Sequence, residues 1–164
     1  MRRYAYVGPP ELAAASTGPA PAIGSRAQLA AWITRHAPAL RDEGYVVTWV
    51  VTVDGAWRVA PRRSEHVACA GGGAVLGAGE ATLARDARVV EASNLSTGYC
   101  PEPACWSALA AALDHAAIPR PAGFAHALVF RRCAACGQRN VVRDEHFACA
   151  VCDAPLPAAW NFET

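Results

Sequence analysis

The sequence predicts an α+β fold: an antiparallel β-meander sheet with two helices, followed by a small cysteine-built unit at the C-terminal end. Three observations predict it. The run YVVTWVVTV at 45–53 is apolar and β-branched, and further strand-like segments follow it with connections too short for parallel crossovers. Two segments with helical spacing, beginning at Ser25 and Pro101, flank those strands. Two Cys-x-x-Cys pairs, Cys133 with Cys136 and Cys149 with Cys152, stand twelve residues apart near the end of the chain.

Taken in order, Arg3 to Val7 reads as a strand closed by Gly8-Pro9-Pro10. Residues 11–24, rich in Ala, Gly, Pro and Ser, read as a mobile loop. Ser25 and Gln28 have capping-box spacing, so hydroxyl and amide can satisfy the first free N–H groups of a helix. Leu29, Trp32 and Ile33 share its apolar face, with His36 at the margin, and Pro38 ends it. Asp54-Gly55 is a hairpin signal after Tyr45 to Val53, and Ala56 to Ala60 returns as the partner strand. Three more strands follow, His66 to Ala70, Ala74 to Leu83 and Ala87 to Ala92, with turns at Gly71-Gly72-Gly73 and Arg85-Asp86. Pro101 to Ala117 is the second helix. Pro101 lies in its first turn, and Trp106, Leu109, Leu113 and Ala117 form its stripe. Ala125 to Phe130 is a strand that feeds the cysteine-rich segment, and Trp160 and Phe162 of the tail should pack back on the body. The expected division is an α+β domain over 1–128 and a metal-holding unit with its tail over 129–164, packed on the first.

Composition narrows the function classes. The 164 residues are 53% hydrophobic and carry a formal net charge of +1, which predicts a folded chain with no general attraction to nucleic acid or anionic membrane. All 15 basic residues are arginine, a usage that with the abundant alanine points to a high-GC bacterial genome. The N-terminus has two arginines but no long apolar run, so neither a secretion signal nor a membrane span is expected there. Seven cysteines with metal spacing fit a reducing cytoplasm.

Two residues between cysteines let a tight turn aim both sulfurs at one ion, with backbone N–H groups facing the thiolates. Gly137 and Asp153 each follow a pair, where a left-handed residue closes such a turn. Gln138 to Arg143 and Glu145 to Ala148 can form two short strands, and Val141, Val142 and Phe147 are their only sizeable apolar groups. That is too little core for the segment to stand without a metal. The expected cofactor is one structural Zn²⁺ on Cys133, Cys136, Cys149 and Cys152. A disulfide pair is the bland alternative, and a rubredoxin-like iron site would use the same ligands. Residues 131–157, with CAACG and CAVCD as two knuckles, resemble a zinc ribbon.

A second constellation holds His66, Cys69, Cys100 and Cys105. Buried structural cysteines, a second Zn²⁺ site with a Cys₃His shell, and a catalytic thiol are all open. In the catalytic version Cys100 lies at a helix N-terminus, His66 is its base and Glu102 orients it. A zinc deaminase is excluded, since that chemistry needs His-x-Glu and Pro-Cys-x-x-Cys, and His66-Val67-Ala68 and Cys100-Pro101 break the pattern.

The run HVACAGGGAVLGAGEATLARDARVVEASNLSTGYCP resembles a small β-module of bacterial proteins and of plant calmodulin-binding IQ-motif proteins. His66, Gly71-Gly72, Ala78-Gly79-Glu80, Ser96, Tyr99 and Pro101 carry the match, while Gly98 stands where the module has a second His. The resemblance, over 66–115, implies a meander with a helix and no activity. A ligand pocket, if present, is expected among the catalytic candidates His66, Glu80, Tyr99 and Cys100, with Ser96. As residue types, His, Tyr and Glu are similar to the nicotinamide-site trio of ADP-ribosyltransferases. The blander reading has them satisfying one another's hydrogen bonds.

The leading expectation is a non-catalytic zinc-ribbon module that binds a protein partner. Arg131, Arg132, Arg139 and Arg143 offer a route to phosphate, but Asp144, Glu145 and Asp153 nearly cancel their charge. An enzyme using His66, Tyr99 and Cys100, and a toxin, immunity or defence accessory protein, are the alternatives.

Overall fold

The apolar run at 45–53 becomes β1 (Tyr45–Thr52), an inner strand of a four-stranded antiparallel sheet in the order β2-β1-β3-β4. The computed structural model describes residues 1–36 and 44–162; the expected helix stop at Pro38 lies outside them. β2 (Trp57–Pro61) pairs with β1 through the Asp54-Gly55 turn, where Gly55 is left-handed (φ 83°) and Thr52 Oγ1 donates to Asp54 Oδ1 at 2.6 Å. β3 (Val75–Ala84) lies on the other side of β1, and β4 (Arg88–Ser93) pairs outside β3.

Alternation assigns the two faces. Val47, Trp49 and Val51 pair across to Ala81, Gly79 and Gly77 of β3. The Trp49 ring stacks on Phe124, with centroids 6.2 Å apart, and Phe124 meets Trp106 edge-on at 5.0 Å. Trp106 opens α4 (Trp106–His115), which covers this face through buried Leu109 and Leu113. On the other face Thr48 Oγ1 lies 3.1 Å from the Ser64 carbonyl, on the segment that leads into α3 (His66–Cys69). Both edges of the sheet are covered in part. Ile23 N–H donates to the Trp57 carbonyl at 2.8 Å beside β2, whose end at Pro61 has no N–H to offer, and Ala125 N–H donates to the Ala92 carbonyl at 2.9 Å beside β4.

The mixed α+β class, the antiparallel sheet and the capped start of α2 (Arg26–His36) follow the expectation. Gln28 N–H donates to Ser25 Oγ at 3.2 Å, and Gln28 Oε1 accepts from Gly24 N–H at 2.7 Å. Leu29, Trp32 and Ile33 are buried, and exposed His36 stacks on Trp32 at 4.3 Å.

Local departures have physical causes. Arg3 to Val7 forms no strand; Tyr4 alone is bridged, to Val75, and its ring is buried against Trp160 at 5.6 Å. Residues 11–24 are not a plain loop. Pro10–Ala14 form a short helix, α1, and Ala20 N–H and Ile23 N–H are tied to the Cys69 and Trp57 carbonyls. The expected strand at His66 to Ala70 is the helix α3. β2 and β3 both run antiparallel to β1 on opposite sides, so the chain must cross β1 between them, and α3 lies on that crossing. Its end is a Schellman motif: Gly72 N–H donates to the Val67 carbonyl, Gly71 N–H to Ala68, and Gly71 is left-handed (φ 69°). The second helix begins later than expected. Cys100 is left-handed (φ 46°) and Glu102 extended, so a 3-10 turn at Pro103–Cys105 precedes α4. Ala117, expected in the stripe, is the left-handed residue (φ 52°) that ends the helix, and Ala116 is buried in its place.

Candidate metal centre

The two Cys-x-x-Cys turns fold the same way. Cys133 N–H donates to the Gln138 carbonyl (2.8 Å) and Gly137 N–H to the Cys133 carbonyl (2.9 Å). Sixteen residues on, Cys149 N–H donates to Ala154 (2.9 Å) and Asp153 N–H to Cys149 (3.0 Å). Gly137 (φ 75°) and Asp153 (φ 58°) are both left-handed, the conformation expected of the closing residue. The four sulfurs lie within 4.8 Å of one another, with Cys133 to Cys152 and Cys136 to Cys149 at 3.6 Å. Tetrahedral Zn–S bonds of about 2.3 Å would place sulfurs about 3.8 Å apart, so the cluster fits such an ion. The amides of Val151 and Cys152 and the Asn140 side chain hold the Cys149 thiol below its ordinary range, favouring a thiolate there, while contact with the Cys136 and Cys133 sulfurs pushes the Cys152 thiol up.

Asn140 was not legible as a site residue. It is buried on β6 (Arg139–Val142), and its Nδ2 points at Cys149 Sγ (3.6 Å) and donates to the Gln138 carbonyl (2.9 Å). Its Oδ1 accepts from Ala150 N–H at 3.0 Å, so one side chain ties the two knuckles together. Outer contacts of this kind typically change metal affinity 10–100-fold. Asn140→Ala should therefore weaken metal binding by about that factor while the sheet stays folded, as read by competition with a chromogenic chelator.

The expected strand pair inside the segment is replaced. β6 pairs with β5 (Val129–Arg132), and Glu145 to Ala148 contribute only isolated bridges. β5 offers a full partner strand, whereas the Arg143–His146 turn has left-handed Asp144 and Glu145 at its centre. Val142 and Phe147 pack with Cys133, Cys149 and Leu156, while Val141 turns to Cys100, Phe130 and Phe162.

The unit sits against the rest of the chain through named contacts. Arg139 Nη1 donates to the Thr97 carbonyl (2.6 Å) and Val7 carbonyl (3.2 Å), and Trp160 Nε1 donates to the Cys100 carbonyl (2.8 Å). Arg131, only 8% exposed, donates to the Ala158 carbonyl (2.6 Å), and the Arg132 guanidinium lies 5.4 Å from the Phe162 ring. Three of the four arginines considered for phosphate contact are thus engaged inside the structure. Arg143 is exposed.

His66, Cys69, Cys100 and Cys105 are not brought together. Among the described residues the only group of three or more candidate ligands is the four-cysteine cluster. Cys100 does not open a helix; it is buried beside Phe130 and Phe162, its Sγ 3.3 Å from the Thr97 carbonyl. Cys69 and Cys105 are buried in the main core. Burial pushes all three thiols up to about 12, which at pH 8 leaves a thiolate fraction of about 10⁻⁴. In the native protein all three should react with a thiol reagent about 100-fold or more slower than in denaturant. Rapid native labelling of Cys100 would restore the nucleophile.

The residues that carry the module resemblance act as internal fasteners. His66 Nε2–H donates to the Gly79 carbonyl at 3.0 Å, and desolvation holds the ring below the usual histidine range. Tyr99 O–H donates to the Gly73 carbonyl at 2.6 Å, and burial pushes the phenol up. Asn94 spans Pro101 and Leu128. Ser96 is buried, and its hydroxyl finds no partner among the described residues. Glu80 lines a cleft of about 140 Å³ with Arg62 (3.5 Å from it), Thr82, Glu91, Ser93 and His126, and Cys100 borders a separate one of about 240 Å³ with Thr97, Phe130 and Arg139. Burial and hydrogen-bond partners, which no spacing rule gives, separate these roles.

No protein family, curated protein or solved structure matches this chain. Among the described residues, no helix is long and apolar enough to cross a membrane.

Proposed function

We propose that this chain is a small bacterial cytoplasmic zinc-ribbon protein that serves as a non-catalytic protein-interaction module. Its first unit, 1–128, is the platform, and 129–164 is the ribbon, stapled by one structural Zn²⁺ on Cys133, Cys136, Cys149 and Cys152. The observation that carries the reading is the proximity of four cysteine sulfurs, all within 4.8 Å of one another: as ligands they would fill a tetrahedral shell and leave no position for water or substrate. The engagement of His66, Tyr99 and Cys100 in core contacts supports a role without catalysis.

The test is elemental analysis of protein purified without added metal, joined to cobalt substitution. One zinc per chain and the absorption bands of a tetrahedral Co²⁺ tetrathiolate are expected. Iron with strong visible colour would move the site to electron transfer. A metal-free, disulfide-linked chain would end the ribbon reading.

A further inference from the structure

The C-terminal unit has two unlike faces. Three of its four arginines turn inward or sideways: Arg139 is held by the Thr97 and Val7 carbonyls, Arg131 by Ala158, and Arg132 lies over Phe162, while Arg143 is exposed in the Arg143–His146 turn, outside both knuckles. Two of its four ligand cysteines turn outward. Cys133 and Cys149 are buried, whereas Cys136 and Cys152 are exposed. The residues between the ligands, Ala134, Ala135, Ala150 and Val151, are exposed as well, Val151 to 67%. Across the two tips, 133–138 and 149–155, the only charged side chain is Asp153. Four thiolates on one divalent ion carry a formal charge of two minus.

We infer that the knuckle tips around Val151 form a docking surface for a protein segment that presents arginine or lysine beside an apolar side chain. The inference rests on the reading that the four cysteines hold a divalent metal. The apolar side chain would cover Val151 and the flanking alanines. The cation would donate to the sulfurs of the exposed residues Cys136 and Cys152, where an N–H donor meets a negative acceptor. Charge complementarity selects this occupant. An acidic segment would face the thiolate charge and Asp153 with no cation on the tips to offset them. The surface is small, so binding should be weak and salt-sensitive.

The test uses the full-length, zinc-loaded, isotope-labelled protein and two synthetic peptides, one alternating arginine with leucine, the other glutamate with leucine. Amide shifts with the arginine peptide should concentrate at 134–137 and 150–153. Affinity should fall about threefold or more between about 20 and about 300 mM salt, as the screening length shortens. Val151→Ser should weaken binding about fivefold or more with zinc content unchanged. Equal shifts with the glutamate peptide, shifts elsewhere on the chain, or an indifferent Val151→Ser would overturn the inference. Concentration-dependent shifts of the same amides without peptide would also overturn it, by assigning the surface to a second copy. Zinc is quantified in each sample, so a protein without metal fails the ribbon reading itself, whereas a zinc-loaded protein that ignores the arginine peptide fails only the docking surface.

Discussion

Cys149→Ala is expected to abolish metal binding and to unfold the C-terminal unit while the four-stranded sheet stays folded. Three sulfurs and a water could still hold an ion, but Cys149 is also where the unit's small core and its hydrogen bonds meet. It packs with Cys133, Leu156, Val142 and Phe147, receives Asn140 Nδ2 and caps its own knuckle through Ala154 and Asp153. That core is a handful of side chains, whereas a structural zinc contributes about 10–16 kcal/mol in comparable small units. The main core is a separate cluster centred on β1, β3 and α4. Metal content should therefore fall from one equivalent to none. Amide dispersion should collapse across the knuckles and persist across β1 to β4. The loss of Arg139 and Trp160 docking should lower the melting temperature of the remainder. Retention of a full equivalent of metal, or collapse of the whole spectrum, would refute this partition.

Gly79→Ala should be the most damaging single-methyl change in the sheet, costing about 3 kcal/mol or more. A Cβ on Gly79 would overlap the Ser93 carbonyl oxygen and come within 3.0 Å of Asn94 Cα, both of them backbone. At this point β4 ends and its chain passes close over β3, starting one residue beyond the Glu80–Ser93 pair. The neighbouring chain cannot simply shift, because Asn94 is anchored to the Pro101 and Leu128 carbonyls and the Gly79 carbonyl itself is held by His66. Gly123→Ala is the control: its Cβ would meet nothing within 4 Å, and the change should stay within about 0.5 kcal/mol. Urea unfolding of the pair gives the answer. Similar midpoints for both would mean that the close crossing carries no energetic weight.

The Gly79 case also explains why motif residues were easier to find than to interpret. Ala78-Gly79-Glu80, Tyr99 and His66 stand out in the sequence, and a His–Tyr–Glu set invites a catalytic reading. What His66 and Tyr99 do is decided by carbonyls thirteen and twenty-six residues away, at Gly79 and Gly73. Polar side chains that close a loop and polar side chains that do chemistry share the same residue types, and only their partners distinguish them.

The sequence by itself determined whatever depends on neighbours along the chain. The knuckles were legible because each is closed by hydrogen bonds within six residues. β1 and the Asp54-Gly55 hairpin were legible from side-chain pattern and turn chemistry, and the start of α2 from the Ser25–Gln28 cap. Tertiary structure alone decided the rest. HVAC is helical because its place is the crossing from β2 to β3 past β1, a demand set by strand order and not by propensity. Arg131 and Arg139 serve as internal ties because the Ala158 and Thr97 carbonyls of distant segments reach them. Asn140 became a site residue when folding placed it between Cys149 and Ala150. Short-range geometry is written in spacing, whereas the partner of a buried polar group exists only once distant segments of the chain have met.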